Sequence, residues 1–303
     1  MDWNRRDALK SGLAISASLG LNLAVPLSAL ADGPTLIKAT GYPYEATRKA
    51  VELLGGMSKF VGRGSSVVIK PNMGFAHPPN IASTTNPEVI RALAEMALDA
   101  GAKRVLILDN PVHNPKTCLE QNGIRQAVKD LSIAVVAPRE AKFFTELPVP
   151  EGRQLRKTDV YTDIIEADTF INVPTAKCHG GSTVSLGMKN LMGAVRDRRP
   201  FHTIHDLHQS IADLASLVRP HLTVLDASRC LLTNGPGGPG KMLLTKTIIA
   251  GTDPVAVDAM GVTLAPWYER QFAPEDIGHI VIASKMGLGE IDSARWKVLT
   301  AVA

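Results

Sequence analysis

Beyond residue 31 the chain alternates short aliphatic and β-branched runs with longer segments whose apolar residues recur at helical spacing. The runs at 36–39, 67–70, 104–108, 133–137, 169–173, 223–226 and 247–250 read as strands. Between them the pattern changes period. At 87–100, Val89, Leu93, Met96, Ala97 and Ala100 form one apolar stripe. Asn86 is placed to cap that helix, Pro87 to open it and Gly101 to close it. Asp253-Pro254 opens a second helix over 254–264, and a third is expected over 204–218, ending before Pro220. Strands alternating with helices predict an α/β fold: a mostly parallel open sheet with helices on both faces, in Rossmann-like layers.

Two stretches break the alternation. Residues 234–240 hold four glycines and two prolines, which supply turn geometry and suit either a binding loop or a plain hairpin. Residues 138–158 are rich in Pro, Arg and Lys and read as an excursion from the sheet. With no internal repeat, residues 32–303 are expected to form a single α/β domain.

The first 31 residues have a different character. Arg5-Arg6-Asp7-Ala8-Leu9-Lys10 resembles the twin-arginine signal, with Ala8 where phenylalanine is usual. A weakly apolar run follows, broken by Ser16, Ser18, Gly20 and Asn22. It falls short of the roughly 20 apolar residues of a membrane span. Ala29-Leu30-Ala31 then offers a small-x-small cleavage site. The expectation is a twin-arginine signal peptide over 1–31, recognition by the export machinery, and a periplasmic protein.

Charge changes the picture little. Arg5, Arg6 and Lys10 against Asp2 and Asp7 give the signal +1 of the chain's +4, which leaves +3. That is too little for an electrostatic nucleic-acid binder, and no basic cluster interleaved with aromatics appears. Cys118, Cys178 and Cys230 lie 60 and 52 residues apart, so neither an iron–sulfur nor a zinc-ribbon motif can be written.

Candidate chemistry gathers where predicted strands end, which is where open α/β sheets place ligands. One strand runs into Lys70-Pro71-Asn72, another into Asp109, and a third leads to Lys177-Cys178-His179. Gly180, Gly181, Ser182 and Thr183 then read as a loop entering a helix, whose free N–H groups and dipole favour an anion. Lys70, Lys177 and Lys189 would neutralise that anion, and Asn72 and Asn190 would orient it. His179 or His205 would move protons. Cys178, beside His179, is a candidate catalytic thiolate, a metal ligand or a packed side chain. His202, His205 and His208, three apart, fan too widely for one ion, and no metal site is expected there.

The ordered segments Lys70-Pro71-Asn72, Thr85-Asn86-Pro87, Ala100-Gly101-Ala102, Lys177-Cys178-His179 and Met188-Lys189-Asn190-Leu191-Met192-Gly193 form a recognisable set. They continue into Asn234-Gly235-Pro236 and Gly251-Thr252-Asp253-Pro254-Val255-Ala256-Val257-Asp258. The set resembles domain-of-unknown-function family 362 over about residues 36–290. By position, the resemblance singles out Lys70, Asn72, Lys177, His179, Lys189 and Asn190. It also implies an iron–sulfur connection, which three scattered cysteines do not support. It supplies no reaction.

The sequence reading is an exported protein that binds an anionic small molecule or cofactor, with redox or acid–base catalysis favoured. The alternatives are a non-catalytic periplasmic solute or cofactor carrier and a partner of an exported redox complex. Replacing Arg5 and Arg6 together by Lys is expected to strand uncleaved precursor in the cytoplasm. Immunoblots of cell fractions check this. Mature protein beginning at Asp32 in the double variant would indicate the general secretory route instead.

Overall fold

The computed structural model describes residues 33–303. The segment read as a signal peptide lies outside the described residues. Strands β1 (Thr35–Thr40), β2 (Ser66–Pro71), β3 (Arg104–Leu108) and β4 (Ala134–Val136) join β7 (Thr169–Val173), β10 (Leu222–Leu231), β11 (Met242–Gly251) and β12 (Lys297–Val302) in the main sheet. Its order is β12-β1-β11-β10-β7-β2-β3-β4. The pairs β10–β7, β7–β2, β2–β3, β3–β4 and β1–β12 are parallel. β11 alone runs against its neighbours. This is the mostly parallel α/β sheet expected.

Alternating strand residues face opposite layers, as the pleat requires. Ile37, Val67, Ile69, Val105, Ile107 and Ile171 share one core with helices α1 (Pro43–Leu53) and α2 (Pro87–Asp99). Leu36, Val68, Leu106, Phe170, Leu225 and Ile249 share the other with α8 (Leu207–Leu217), α9 (Pro254–Val262) and α10 (Gly278–Lys285). α2 forms as its sequence predicts: the Asn86 side chain accepts a hydrogen bond from the Glu88 N–H at 3.1 Å, and Val89, Leu93 and Ala97 are fully buried.

Two local expectations are corrected. The helix expected over 204–218 starts at Leu207, because the Asp206 carboxylate accepts from the Gln209 N–H at 2.7 Å and fixes the cap there. Residues 199–203 form a separate short helix, α7 (Arg199–Thr203). Residues 180–183 do not enter a helix. They turn between β8 (Thr175–His179) and β9 (Thr183–Ser185), an antiparallel hairpin attached to β10. The excursion over 138–158 contains β5 (Phe144–Pro148), which pairs with β6 (Lys157–Tyr161) outside the main sheet.

Leu93 sits in the layer between α2 and the sheet, so truncating it tests that packing. Leu93→Ala is expected to cost about 2–5 kcal/mol in urea denaturation. Leu93→Asp should cost more, since it buries an unpaired carboxylate. A melting temperature within a degree or two of the parent would place Leu93 outside the core.

Candidate functional site

The sheet's parallel register brings the chemistry together. Lys70, near the end of β2, lies opposite Asn172 of β7. Beyond β3 comes Asp109, whose carboxylate pairs with the Lys70 ammonium at 2.8 Å. After β7 the chain bends at Pro174 into β8, which carries Lys177 and His179. The short helix α6 (Gly187–Asn190) supplies Lys189 and Asn190.

A chain of amides joins these elements. The Lys177 Nζ donates to Asn72 Oδ1 at 3.1 Å, and Asn72 Nδ2 donates to Asn190 Oδ1 at 2.9 Å. Asn190 Nδ2 donates to Asn172 Oδ1, and Asn172 Nδ2 to the Gly187 carbonyl, both at 2.9 Å. The two orphan N–H groups at the start of α6 are capped from a distance: the buried Asp258 carboxylate on α9 accepts from Gly187 at 2.6 Å and Met188 at 2.9 Å. Burial pushes Asp258 up to about 7, against the pull of those two bonds.

Above this floor opens a cleft of about 1000 Å³. Asn72, Asp109, Lys177, His179, Lys189 and Asn190 all line it. So do Arg139 and the run Arg196-Asp197-Arg198-Arg199. Its carboxylates are already engaged: Asp109 by Lys70, Asp159 by Arg196 at 3.4 Å, and Asp197 by Arg199 at 2.7 Å. Among the described residues no carboxylate pairs with Lys177, Lys189, Arg139 or Arg198. The two arginines instead hold backbone carbonyls, Arg198 those of Asn110 and Pro111, Arg139 those of Pro111 and His113.

Crowding of like charge in a desolvated wall has a cost, and the amines carry it. Burial first, and the neighbouring Lys189 second, bring Lys177 down to about 7. Lys189 also falls to about 7, through burial and then the charge of Arg198. His179 is held down to about 3 by burial and by Lys189, and His202, stacked on it at 5.8 Å, to about 4. The His179 Nδ1 accepts from the N–H groups of Gly181 (3.1 Å) and Ser182 (3.2 Å), which puts the ring proton on Nε2. His179 thus offers a donor to the cleft and not a base.

Other residues expected at the site lie elsewhere. Gly180 and Gly181 are exposed on the β8–β9 turn. Ser182 donates to the Val184 carbonyl, and Thr183 belongs to β9. None of these four lines the cleft, and the Gly181 and Ser182 N–H groups face the His179 ring and not an anion. His205 follows α7, its N–H bonded to the Pro200 carbonyl, and also stands outside the cleft. Lys70 is fully buried beneath the floor. Cys178 is buried too, with its sulfur accepting from the Gly235 N–H at 3.1 Å and its thiol pushed up by burial. Burial likewise raises Cys118 to about 11 and Cys230 to about 12. Among the described residues no three His, Cys, Asp or Glu side chains gather as a metal would require. Three separate protonated thiols do not fit an iron–sulfur cluster.

Residues 67–263 match the family described as Domain of unknown function (DUF362). The chain belongs to that family. A relative is the Thylakoid-associated protein sll1697 of Synechocystis sp., 29% identical over 220 residues, which are 70% of this chain and 66% of that protein. Solved structures it resembles include the lactate racemase apoprotein of Thermoanaerobacterium thermosaccharolyticum, at 14% identity and TM-score 0.45, covering 77% of this chain and 58% of that one. A Thermotoga maritima protein matches at 12% identity and TM-score 0.42, covering 81% and 60%. The chain therefore spans less than two thirds of the length of each.

The sequence reading left Arg139, Arg198, Asn172 and Asp258 without an assigned role at the site. The basic run at 196–199 was visible as composition, but only the fold turns Arg198 toward the ends of β2 and β3. Gly193 was legible only as part of a motif. Its backbone passes so close over the Lys70–Asp109 pair that a Cβ would meet Asp109 Oδ1 at 2.0 Å and Lys70 Nζ at 2.7 Å. Gly193→Ala is therefore expected to force the pair apart at about 3–5 kcal/mol, the usual cost of breaking a buried ion pair. Gly180→Ala, whose Cβ meets nothing within 4 Å, should be neutral. Urea midpoints of the two variants measure the difference, and similar values would show that the pair tolerates displacement.

Proposed function

We propose that this protein is an exported enzyme that binds an anionic small molecule, a carboxylate or a phosphate ester, in the cleft and moves protons on it. One observation carries the reading: Lys177, Lys189, Arg139 and Arg198 face a single cleft with no carboxylate partner among the described residues. Unpaired cations gathered in a partly desolvated wall are complementary to an anion. Two of them, poised near neutrality, can give or take a proton at ordinary pH. The proposal of export rests on the sequence of residues 1–31.

Inorganic phosphate or a small dicarboxylate is expected to raise the melting temperature in a concentration-dependent way. At a hundredfold excess over Kd the gain is about 2.7 kcal/mol. Lys70 and Lys177 are buried and each holds two hydrogen-bond acceptors, so truncating either would lower the ligand-free melting temperature as well. Arg198→Ala is expected to weaken binding roughly ten- to a hundredfold, read against its own ligand-free melting temperature because it also frees the Asn110 and Pro111 carbonyls. The exposed Lys142→Ala serves as control. Equal behaviour of the two would leave the cleft a solvated groove.

The pH dependence has a definite sign. In the free site the two lysines titrate near 7, and an anion beside them favours the ammonium and raises those values. Binding therefore takes up protons, and affinity strengthens as pH falls towards 7, then levels off. Calorimetry in buffers of different ionisation heat measures the uptake. Release of protons, or none, would contradict the arrangement.

A further inference from the structure

We propose that Lys189 is a nucleophilic amine that condenses with the carbonyl group of an anionic substrate to form an imine. The substrate class is thus a small carbonyl compound carrying a carboxylate or phosphate. Its charge rests on the anion-binding reading above, and the carbonyl is the new element.

The three lysines of the site differ in what holds them. Lys70 is spent on Asp109 and on the Pro71 carbonyl at 3.0 Å. Lys177 donates to Asn72 Oδ1 and to the Ser83 carbonyl, and lies over the Phe75 ring at 4.7 Å. Its N–H groups are accounted for. Lys189, only 8% exposed, lines the cleft, and among the described residues its Nζ meets one acceptor, the Met192 thioether, at 3.0 Å. A thioether is a weak acceptor and does not hold an ammonium. A desolvated lysine beside another cation is an activated amine, and Arg198 supplies that cation. Asp258, through its cap on α6, fixes the backbone from which Lys189 projects.

The step balances without another reactant. The amine lone pair bonds to the carbonyl carbon while the C=O π pair moves to oxygen, which takes one N–H proton to give a carbinolamine. The C–O bond then breaks, the second N–H proton leaves with the hydroxyl as water, and the C=N bond remains.

Pyridoxal 5′-phosphate combines an aldehyde with a phosphate and serves as the probe, with borohydride to reduce the imine to a stable secondary amine. Full-length protein is labelled at about pH 7.5, digested and mapped by mass spectrometry. Label at Lys189 is expected to exceed that at exposed lysines such as Lys103 and Lys142 by roughly several hundredfold, from the ratio of free-amine fractions. Excess inorganic phosphate should suppress it, and Lys189→Met should abolish it. In the unmodified protein the labelling rate at Lys189 should rise through pH 7 and level off, while exposed lysines go on rising towards pH 10. That profile needs no variant to fold. Label spread over exposed lysines, or a Lys189 profile like theirs, would overturn the proposal. Stabilisation by phosphate with no adduct at Lys189 would overturn it while leaving the anion-binding reading intact.

Discussion

Asp109 and Lys70, 2.8 Å apart and shut away from water, form the base on which the cleft stands. A buried ion pair is stable only where further hydrogen bonds replace lost solvent, and those bonds organise the neighbourhood. The second Asp109 oxygen accepts from the Met73 N–H at 2.7 Å, which fixes the loop after β2 and with it Asn72. The Lys70 ammonium reaches the Pro71 carbonyl on the same turn. Gly193 crosses the pair without a Cβ, and its carbonyl accepts from the Asn110 N–H at 2.9 Å. Strand ends β2 and β3 and the segment following α6 are thereby locked to one another at the point where a ligand would enter.

Over that base the protein holds cations close together and suppresses their charge. Lys177 and Lys189 each lie well below an ordinary lysine because burial penalises the ammonium and a neighbouring cation repels it. The histidines follow the same logic: His179 and His202 stack and stay neutral beside Lys189. The anion proposed for the cleft would reverse the balance by supplying the missing counter-charge. Binding and protonation are then two views of one equilibrium.

Much of the fold was legible because its signals are local. Residues 104–108 and 169–173 are mostly aliphatic, β-branched or aromatic runs, and both strands have those bounds in the structure. Asn86-Pro87 and Asp253-Pro254 mark helix starts by chemistry contained within a few residues. Gly180 and Gly181 misled because a glycine pair suits a hairpin turn as well as a helix entry. What decides between them is the pairing of Lys177 with Ser185 and His179 with Thr183. Six of the ten expected ligand residues were Lys70, Asn72, Lys177, Lys189, Asn190 and Asp109, which the fold gathers at or under one cleft. Arg198 and Asp258 were missed because their partners lie about 70 residues or more away in the chain. No periodicity records such a contact.

The segments that carry the family resemblance are scattered along the sequence, yet in the fold all but Ala100-Gly101-Ala102 touch another of the set. Thr85 Oγ1 accepts from the Asn72 N–H at 2.8 Å and donates to the Val173 carbonyl. The Gly235 N–H meets Cys178, which brings Pro236 to the cleft wall. Asp258 caps the helix that bears Lys189 and Asn190. A resemblance that reflected the sheet alone would fall on strand interiors, whose residues Val67, Val105 and Ile171 only need to be apolar and of suitable size. Here it falls on polar and glycine positions at strand ends, where a substitution would break a named hydrogen bond or fill a close approach. Such positions are constrained by the close packing of the cleft floor, which an α/β frame alone does not require.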